Sequence, residues 1–522
     1  MNYIKLTVIA GCFLALQMNS FLFAQAKSYK RGVSYEIPYA EDVYSLSKGS
    51  SWFYNWGVTP NAVVDAVLED EAVDFVPMAW NGGYNENALR SYLQTHKNVK
   101  YLLGFNEPNF KSQANMTPAE AVAAWPRLQK IADDFGLKIV APAVNFSPDA
   151  PYQDPNAWLD EFFKLLPADA RVDYVAVHCY MPYPSALMWY ISKFKKYGKP
   201  IWLTEFCAWD EFYNIPGDQP SNQMKFMVNA INYLESDPDV YRYAWFIPRT
   251  GGNDKYPYMQ FLEDNAPGAL TDLGQVFVNM SSQDKSYYFK VGEQIPAEHY
   301  SSMNIVDIDN SDNWKDGFQL RLSTDDNGIL EIYDFNDNEW AEYNIDVPSS
   351  GDFQIKLRYA SKEDASCQLS VGGTELSVLS MPSTGGEKVW KEYQATLNLQ
   401  KGEQTLRLKV TNGTISLNWL TLLSGSSTHN DLLEMASTVS VYPSPVKDIM
   451  SIRSGDRRVN NLKIYELSGR MLAELKIESN DVNLSFLPAG TYFLNIEMED
   501  GIVLGERAFQ GLTALASFTF PT

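Results

Sequence analysis

Eight short apolar runs alternate with stretches of helical periodicity between residues 30 and 280, and no other feature limits the fold as strongly. Apolar runs of this length predict buried strands, whereas apolar residues recurring every three or four positions predict amphipathic helices, such as 118–135, capped by Thr117, and 157–166. The predicted strands are 31–37, 52–56, 75–80, 101–106, 138–144, 173–180, 200–206 and 241–248. Eight strands alternating with helices predict a (β/α)8 TIM barrel over residues 27–281.

The pattern changes after residue 281 to short strand-like runs separated by Gly, Asn, Asp and Ser turns. Helical periodicity is lost there, and this combination predicts a β-sandwich (jelly-roll) domain over residues 283–425. A polar stretch, 424–431, leads to a third β-rich segment, for which we expect a small C-terminal β-sandwich over 438–522. The chain is therefore predicted to be multidomain.

The N-terminus has the composition of an export signal. Lys5 precedes the apolar stretch 6–16, and Ala24-Gln25-Ala26 places small residues at the spacing that signal peptidase requires. We expect a signal peptide over residues 1–26 and a mature chain that starts near Lys27, outside the cytoplasm. Ile9-Ala10-Gly11-Cys12 also resembles a lipoprotein processing box, which would tether the protein instead. No other segment is apolar over enough residues to predict a membrane span.

Charge and cysteine content exclude several classes of partner. A formal net charge of −22 argues against nucleic-acid binding, since phosphates would be repelled. Aromatic residues make up 14% of the chain, which suits clefts where the apolar faces of sugars lie against rings, and equally suits large cores. Beyond the signal, Cys179, Cys207 and Cys367 remain, an odd number without zinc-type spacing, so we expect free thiols.

Two carboxylates follow predicted strands on opposite sides of the barrel. Glu107 comes directly after the fourth strand, and Glu205 stands at the end of the seventh. Residues at the carboxyl ends of barrel strands form the active site, so the pair is predicted to face each other across the mouth. Glycoside hydrolysis needs such a pair, one to protonate the departing oxygen and one to attack or stabilise the anomeric centre, and a spacing of about 5 Å would mean retention of configuration.

Other polar and aromatic residues at the strand ends are candidates for substrate binding. Asn106 is expected to reach the sugar 2-hydroxyl. His178 and Tyr180 share one face of the sixth strand, where Tyr180 is expected to hydrogen-bond Glu205 and His178 to contact substrate, although a purely structural histidine fits as well. Five tryptophans lie at or near strand ends, where sugar stacking is one role and barrel or interface packing the alternative: Trp52, Trp56, Trp80, Trp209 and Trp245. Of these, Trp52, Trp80 and Trp209 are the predicted stacking rings.

The barrel segment resembles glycoside hydrolase family 128. The matching segments, in the family's order, are Lys30-Arg31-Gly32-Val33, Ser51-Trp52-Phe53-Tyr54-Asn55-Trp56, Phe75-Val76-Pro77-Met78-Ala79-Trp80, Gly104-Phe105-Asn106-Glu107-Pro108-Asn109, Val177-His178-Cys179-Tyr180 and Leu203-Thr204-Glu205-Phe206. This resemblance implies hydrolysis of β-1,3-glucan with Glu107 as acid/base, Glu205 as nucleophile, and no metal or organic cofactor for catalysis.

The expected function is therefore that of a secreted, retaining endo-β-1,3-glucanase acting on glucans of the laminarin or curdlan type. Two alternatives stay open. One is a hydrolase of another polysaccharide, such as an algal galactan or a mixed-linkage glucan, because similar barrels serve many sugars. The other is a non-catalytic surface glycan-binding protein, against which the presence of both carboxylates argues.

The middle segment is similar to carbohydrate-binding module family 6. The matching stretches are Ile295-Pro296-Ala297-Glu298-His299-Tyr300, Asn338-Glu339-Trp340-Ala341-Glu342-Tyr343, Ser383-Thr384-Gly385-Gly386 and Leu417-Asn418-Trp419-Leu420. The resemblance implies a sugar-stacking role for Tyr333 and a structural calcium held in part by Glu298. Glu387 stands where that family usually has a Trp, so a spacer without sugar affinity is the alternative.

The last segment resembles the C-terminal sorting domain read by the type IX secretion machinery. The matching stretches are Val441-Tyr442-Pro443-Ser444-Pro445, Ile464-Tyr465-Glu466-Leu467-Ser468-Gly469-Arg470 and Leu487-Pro488-Ala489-Gly490-Thr491-Tyr492-Phe493. The resemblance implies that the secretion machinery is a partner and that the mature protein is extracellular or attached to the cell surface. We expect a monomer whose other partner is the polysaccharide.

Overall fold

The computed structural model describes residues 25–209, 222–250, 257–304, 317–325 and 328–424, together with shorter ranges of the last segment. Those shorter ranges are 440–442, 449–453, 458–466, 471–477, 479, 481–487, 491–498, 503–504 and 518–519. Residues 25–425 form one compact unit, and the residues that follow belong to a second unit. The predicted signal peptide and Cys12 lie outside the described residues.

The first unit begins with eight parallel strands that alternate with eight helices. The strands are β1 (Arg31–Ser34), β2 (Trp52–Tyr54), β3 (Asp74–Phe75), β4 (Tyr101–Leu103), β5 (Lys138–Val144), β6 (Tyr174–Cys179), β7 (Ile201–Phe206) and β8 (Val240–Trp245). Their sheet order is β3-β2-β1-β8-β7-β6-β5-β4. Leu103 closes the ring, since its N–H donates to Pro77 O at 2.9 Å and its carbonyl accepts from Ala79 N at 3.0 Å. The predicted (β/α)8 barrel is confirmed.

A side chain caps the first turn of five of the eight described barrel helices. The eight helices are α1 (Ala40–Leu46), α2 (Ala62–Asp65), α3 (Glu86–Thr95), α4 (Pro118–Phe135), α5 (Pro155–Leu165), α6 (Pro184–Ser192), α7 (Asn222–Ser236) and α8 (Asp272–Asn279). The predicted Thr117 cap of α4 is present, because Thr117 Oγ1 accepts from Glu120 N at 3.2 Å and Glu120 Oε2 accepts from Thr117 N at 2.8 Å. Gly136 ends α4 at φ +71°, a conformation that favours glycine.

Twelve strands of the middle segment pack as two facing sheets. They are β9 (Phe289–Lys290), β10 (Gln294–Pro296), β11 (Ser302–Met303), β12 (Gln319–Leu322), β13 (Leu330–Asn336), β14 (Trp340–Val347), β15 (Gly351–Ser361), β16 (Ala365–Val371), β17 (Thr374–Met381), β18 (Gly386–Leu399), β19 (Gly402–Asn412) and β20 (Thr414–Ser424). One sheet runs β12-β13-β20-β15-β18 with β10 beside β20, and the other runs β11-β14-β19-β16-β17 with β9 beside β14. The predicted β-sandwich is confirmed.

The second unit is also made of strands. These are β21 (Ser440–Tyr442), β22 (Ile449–Arg453), β23 (Val459–Glu466), β24 (Met471–Lys476), β25 (Asp481–Asn483), β26 (Thr491–Met498), β27 (Val503–Leu504) and β28 (Phe518–Thr519). They form a sheet β21-β22-β25 and a sheet β24-β23-β26-β27, with β28 beside β26. Their apolar core includes Met450, Ile452, Leu462 and Ile464.

Two further observations bear on the sequence analysis. Within the described ranges, no helix has the length and apolar character needed to cross a membrane. Cys179, Cys207 and Cys367 are buried free thiols, as predicted, and burial raises the pKa of the Cys179 and Cys367 thiols to about 12.

Candidate active site

Glu107 lies just beyond β4, where the chain leaves the barrel wall. Its N–H donates to Ala143 O at 2.8 Å, so the parallel ladder between the fourth and fifth strands continues past the end of β4. Glu107 then adopts φ +42°, a left-handed conformation that is costly for a residue with a side chain. Such local strain persists only where surrounding contacts enforce it, and it often occurs at functional sites. The turn keeps the Glu107 carboxylate buried at the mouth of the barrel.

Glu205 is the fifth residue of the six-residue strand β7 and lies beside His178 in the β6–β7 register. Its carboxylate is surrounded by donors. Tyr54 Oη donates to Oε1 at 2.9 Å, Trp56 Nε1 donates to Oε1 at 2.7 Å, and the Tyr180 hydroxyl donates to Oε2. These hydrogen bonds fix the orientation of the Glu205 carboxylate.

The imidazole of His178 joins the two carboxylates. Its Nδ1 lies 2.9 Å from Glu107 Oε1 and 3.4 Å from Glu205 Oε2. One carboxylate oxygen of Glu107, one of Glu205 and one ring nitrogen of His178 all lie within 4.8 Å of one another. This places the carboxylates close to the separation of about 5 Å found in retaining glycosidases and far from the wider gap of inverting ones.

Electrostatics explain the protonation of His178. Burial alone would lower the pKa of its imidazole, but the charge of Glu205 and the hydrogen bond to Glu107 outweigh burial and raise that pKa above its usual value. Burial and the charge of Glu205 raise the pKa of Tyr54 and of Tyr180 well above the usual range, so both phenols remain hydrogen-bond donors. The site therefore combines a carboxylate that accepts three hydrogen bonds with an imidazole whose pKa is raised.

The same three groups have the residue types of a small metal site. Tyr54, Trp56 and Tyr180 already donate hydrogen bonds to both oxygens of Glu205, which satisfies that carboxylate without a cation. The arrangement therefore fits proton transfer and nucleophilic attack, which is the chemistry of a carboxylate pair.

Family models match the three segments of the chain. The glycosyl hydrolase catalytic core matches residues 32–277, carbohydrate binding module family 6 matches residues 297–424, and the secretion system C-terminal sorting domain matches residues 440–505. The resemblances read from the sequence are confirmed for all three segments.

Solved structures and curated proteins agree with the first of these matches. A GH128 (subgroup II) endo-β-1,3-glucanase from Pseudomonas viridiflava is 38% identical, with 48% of this chain and 98% of that one covered and a TM-score of 0.44. The chain belongs to glycoside hydrolase family 128. A GH128 (subgroup II) endo-β-1,3-glucanase from Sorangium cellulosum is 36% identical, with 48% of this chain and 97% of that one covered and a TM-score of 0.43.

A more distant relative is alkali-sensitive linkage protein 1 of Schizosaccharomyces pombe, which is 27% identical over 267 residues, or 48% of this chain and 45% of that protein. This chain spans less than half the length of the curated relatives that it matches.

Two predicted substrate contacts in the family 128 barrel are contradicted by burial. Trp52 is fully buried at the amino end of β2, where its ring lies across Gly32 and packs on Trp202 at 5.0 Å between centroids. His178 is also 0% exposed and lies against both carboxylates. Trp52 is therefore a core residue, and His178 lies between the two carboxylates with no surface left for a sugar.

Sequence reasoning missed Tyr54 and considered Trp56 only as a ring for sugar stacking, not as a donor to Glu205. Side chains alternate along a strand, so residues 52, 54 and 56 share one face, and each lies closer to the carboxyl end of the barrel than the one before it. Only the last two reach the level of Glu205, and Trp56 does so at φ +58°, another left-handed residue at the site. The alternation was readable from the sequence, and counting from the carboxyl end of the strand would have selected them over Trp52.

The remaining predicted barrel residues lie around the pair. Asn106 is buried, its Nδ2 lies 3.5 Å from Gln113 Oε1, and its Oδ1 has no hydrogen-bond partner among the described residues. Trp80 is half-buried, and its carbonyl accepts from Asn106 N at 2.9 Å. Trp209 is 42% exposed and meets the Tyr180 ring edge-on at 5.6 Å. An exposed indole beside a ring that holds Glu205 suits a sugar-stacking platform.

The sandwich contains a cavity of about 320 Å³, lined in part by Tyr333, Glu387 and Ser416. Tyr333 is only 5% exposed, and the Arg321 guanidinium lies over its ring, 4.4 Å from the centroid. The predicted stacking of a sugar on this ring is therefore contradicted, because the guanidinium covers a ring face that is otherwise buried. Tyr333 forms part of the cavity wall.

Proposed function

We propose that this chain is a retaining endo-β-1,3-glucanase in which Glu205 is the nucleophile and Glu107 the acid/base. The observation that carries the proposal is the close approach of the two carboxylates at the barrel mouth, where one oxygen of each lies within 4.8 Å of the other and of a ring nitrogen of His178. The endo-β-1,3-glucanase activity of the two bacterial family 128 relatives, each matched over nearly its whole length, supports this substrate class.

In the first step, Glu205 attacks the anomeric carbon while Glu107 gives its proton to the departing glycosidic oxygen. The carbon–oxygen bond to the leaving sugar breaks as the bond to the carboxylate oxygen forms, which leaves a glycosyl-enzyme ester. The donors Tyr54, Trp56 and Tyr180 hold the Glu205 carboxylate in a fixed position for the attack.

In the second step, Glu107, now a carboxylate, takes a proton from water as the water oxygen attacks the anomeric carbon. The ester bond breaks, Glu205 regains its charge, and Glu107 regains its proton. Two displacements at one carbon restore the original β configuration. Asn106 Oδ1, buried without a partner in the described ranges, is suited to accept a hydrogen bond from the sugar 2-hydroxyl.

His178→Asn is expected to move the alkaline limb of the kcat/KM profile to lower pH by about one unit or more. His178 Nδ1 lies 2.9 Å from Glu107 Oε1, and two groups that share one proton release it at a pH at least as high as either group would alone. The His178 pKa is raised, so the shared proton is present below that pKa and is lost as pH rises through it, which removes the acid. The alkaline limb is measured as kcat/KM between about pH 4 and pH 10. This range brackets the normal carboxyl and imidazole pKa values.

His96→Asn is the matched control. His96 directly follows α3, away from the two carboxylates, and its ring stacks on Tyr92 and pairs with Asp65. Its profile should superimpose on that of the wild type. An unchanged alkaline limb in His178→Asn would remove His178 from the proton-sharing pair.

The proposed activity is tested by incubating the full chain with laminarin, curdlan, a mixed-linkage β-glucan and an algal galactan. We expect laminarin to be cut to short oligosaccharides from early time points, as internal cleavage requires, with newly formed β-anomers in the NMR spectrum. Release of single sugars only would indicate exo action, and newly formed α-anomers would indicate inversion. Cleavage of the galactan alone would reassign the substrate, and binding without cleavage of any polymer would favour a glycan-binding protein.

We also propose that the chain is divided into a signal peptide, a catalytic barrel over 27–281, a glycan-binding sandwich over 283–425 and a sorting domain over 438–522. The matches to carbohydrate binding module family 6 and to the sorting domain support the roles of the last two. The expected partners are the polysaccharide and the secretion machinery, and the expected state is a monomer outside the cell or on its surface.

A structural calcium in the sandwich is a further part of this proposal. Glu298 Oε1 accepts from Leu330 N at 3.3 Å, and Oε2 has no hydrogen-bond partner among the described residues. Burial raises the pKa of Glu298 to about 8, so its carboxylate is poorly solvated at neutral pH. A buried carboxylate with a spare oxygen fits a hard cation, which would keep Glu298 ionised and hold the neighbouring loop.

A further inference from the structure

Gln25 is buried where the barrel meets the sandwich. Its Nε2 donates to His299 O at 2.7 Å and to Tyr300 O at 3.1 Å, two carbonyls of the sandwich. Its Oε1 accepts from Ser281 Oγ at 3.0 Å and from Ser282 N at 3.3 Å, on the segment that follows α8. One side chain therefore satisfies groups from both domains, and it is 8% exposed.

The surroundings of Gln25 are held firmly from the barrel side. Arg31 Nη2 donates to Ser281 O at 2.5 Å, and its Nη1 donates to Phe277 O at 2.8 Å at the end of α8. Tyr300 Oη donates to Asn232 Oδ1 of α7 at 2.7 Å. Gln25 thus joins both domains in one hydrogen-bonded junction, and its removal would leave the buried carbonyl of His299 and the part-buried N–H of Ser282 without this partner.

The residues that follow Gln25 contribute much less to this junction. Ala26 is exposed, and its N–H donates to Asp284 Oδ2 at 3.2 Å. Lys27 Nζ donates to Glu71 O at 2.6 Å, a contact inside the barrel segment. The network that joins the two domains therefore begins at Gln25, and a chain that starts at Lys27 lacks its first member.

We propose that the leader is removed between Ala24 and Gln25, so that the mature protein begins at Gln25 and its side chain locks the sandwich to the barrel. Water hydrolyses the Ala24–Gln25 peptide bond, which leaves a carboxylate on Ala24 and a new amino terminus on Gln25. Ala24 is the small residue directly before this cut, while Leu22 stands two residues earlier, where the A-x-A pattern has a second small residue. This start differs from the one near Lys27 that the small-residue spacing alone predicts.

The cleavage position is tested on the full chain, expressed with its own leader in a bacterium that exports it. Digestion after glutamate should release an N-terminal peptide that spans residues 25–36, identified by its mass. A peptide of residues 27–36 would overturn the proposal, as would a chain that begins with a lipid-modified Cys12 or one that retains residues before Gln25.

The locking role is tested separately by thermal unfolding of the protein with Gln25→Ala. We expect the barrel–sandwich unit to melt about 2 °C or more below the wild type, since two buried carbonyls and the part-buried N–H of Ser282 lose a partner. Ala26→Ser, at the exposed neighbouring position, is the matched control and should melt with the wild type. Equal melting temperatures for Gln25→Ala and the wild type would overturn the locking role.

Discussion

Glu205→Ala should lower kcat on laminarin by at least about 10⁴-fold, and sodium azide should restore turnover with an α-glycosyl azide as product. Without the carboxylate no glycosyl ester forms, so the β-linked substrate has no nucleophile on the face opposite its leaving group. Azide fits the space left by the side chain and attacks that face directly. One displacement inverts the anomeric carbon, and the product is therefore α.

The anomeric configuration of the azide product, determined by NMR of the isolated compound, decides whether Glu205 is the nucleophile. Wild-type enzyme under the same conditions should yield no α-azide, because Glu205 occupies the attacking position. A β-azide from Glu205→Ala would mean that Glu205 is not the nucleophile. Glu161→Ala is a suitable control for fold and handling, since Glu161 is on α5 and bonds the exposed hydroxyl of Tyr152.

Glu107→Ala should lower kcat/KM on laminarin by about 10²- to 10⁴-fold, which is the usual contribution of a general acid. An aryl β-laminaribioside with a good leaving group should lose much less in the first step, because that leaving group departs without a proton. The second step still lacks its base, so the glycosyl-enzyme should accumulate and produce a burst of released phenol.

Azide again separates the roles of the two residues. It needs no base to attack the accumulated ester of the Glu107→Ala protein, and this second displacement yields a β-glycosyl azide. The predicted pattern is therefore α-azide from the Glu205 variant and β-azide from the Glu107 variant. The reverse pattern would exchange the two roles while leaving the pair intact.

The barrel itself was predictable because it rests on local periodicity. Apolar runs of strand length and amphipathic helices are recognised from residues close together in the sequence. Eight strand–helix units in succession are compatible with few folds, of which the closed barrel is one. Glu107 and Glu205 follow from the same reasoning, since residues at the carboxyl ends of strands collect at one rim whatever their separation along the chain. The structure confirms the strand order that brings them to this rim.

Depth within the barrel was not predictable from the aromatic residues alone. Trp52 was expected to stack on sugar, yet it lies at the amino end of β2 and fills the interior. Tyr54 and Trp56 hold Glu205 across a chain separation of 151 and 149 residues, contacts that exist only after the ring of strands closes. Tyr333 was misjudged for the same reason, because Arg321 reaches its ring only in the folded sandwich.

The sequence by itself determined the kind of fold, its three-segment organisation, the carboxylate pair and the family. Each depends on residue types at fixed spacing, which folding preserves. Tertiary structure alone decided which side chains surround the pair, that His178 is enclosed between Glu107 and Glu205, and that Gln25 is buried between two domains. Those outcomes depend on burial and on hydrogen bonds between distant segments, and such contacts are set by packing in three dimensions, which no local pattern encodes.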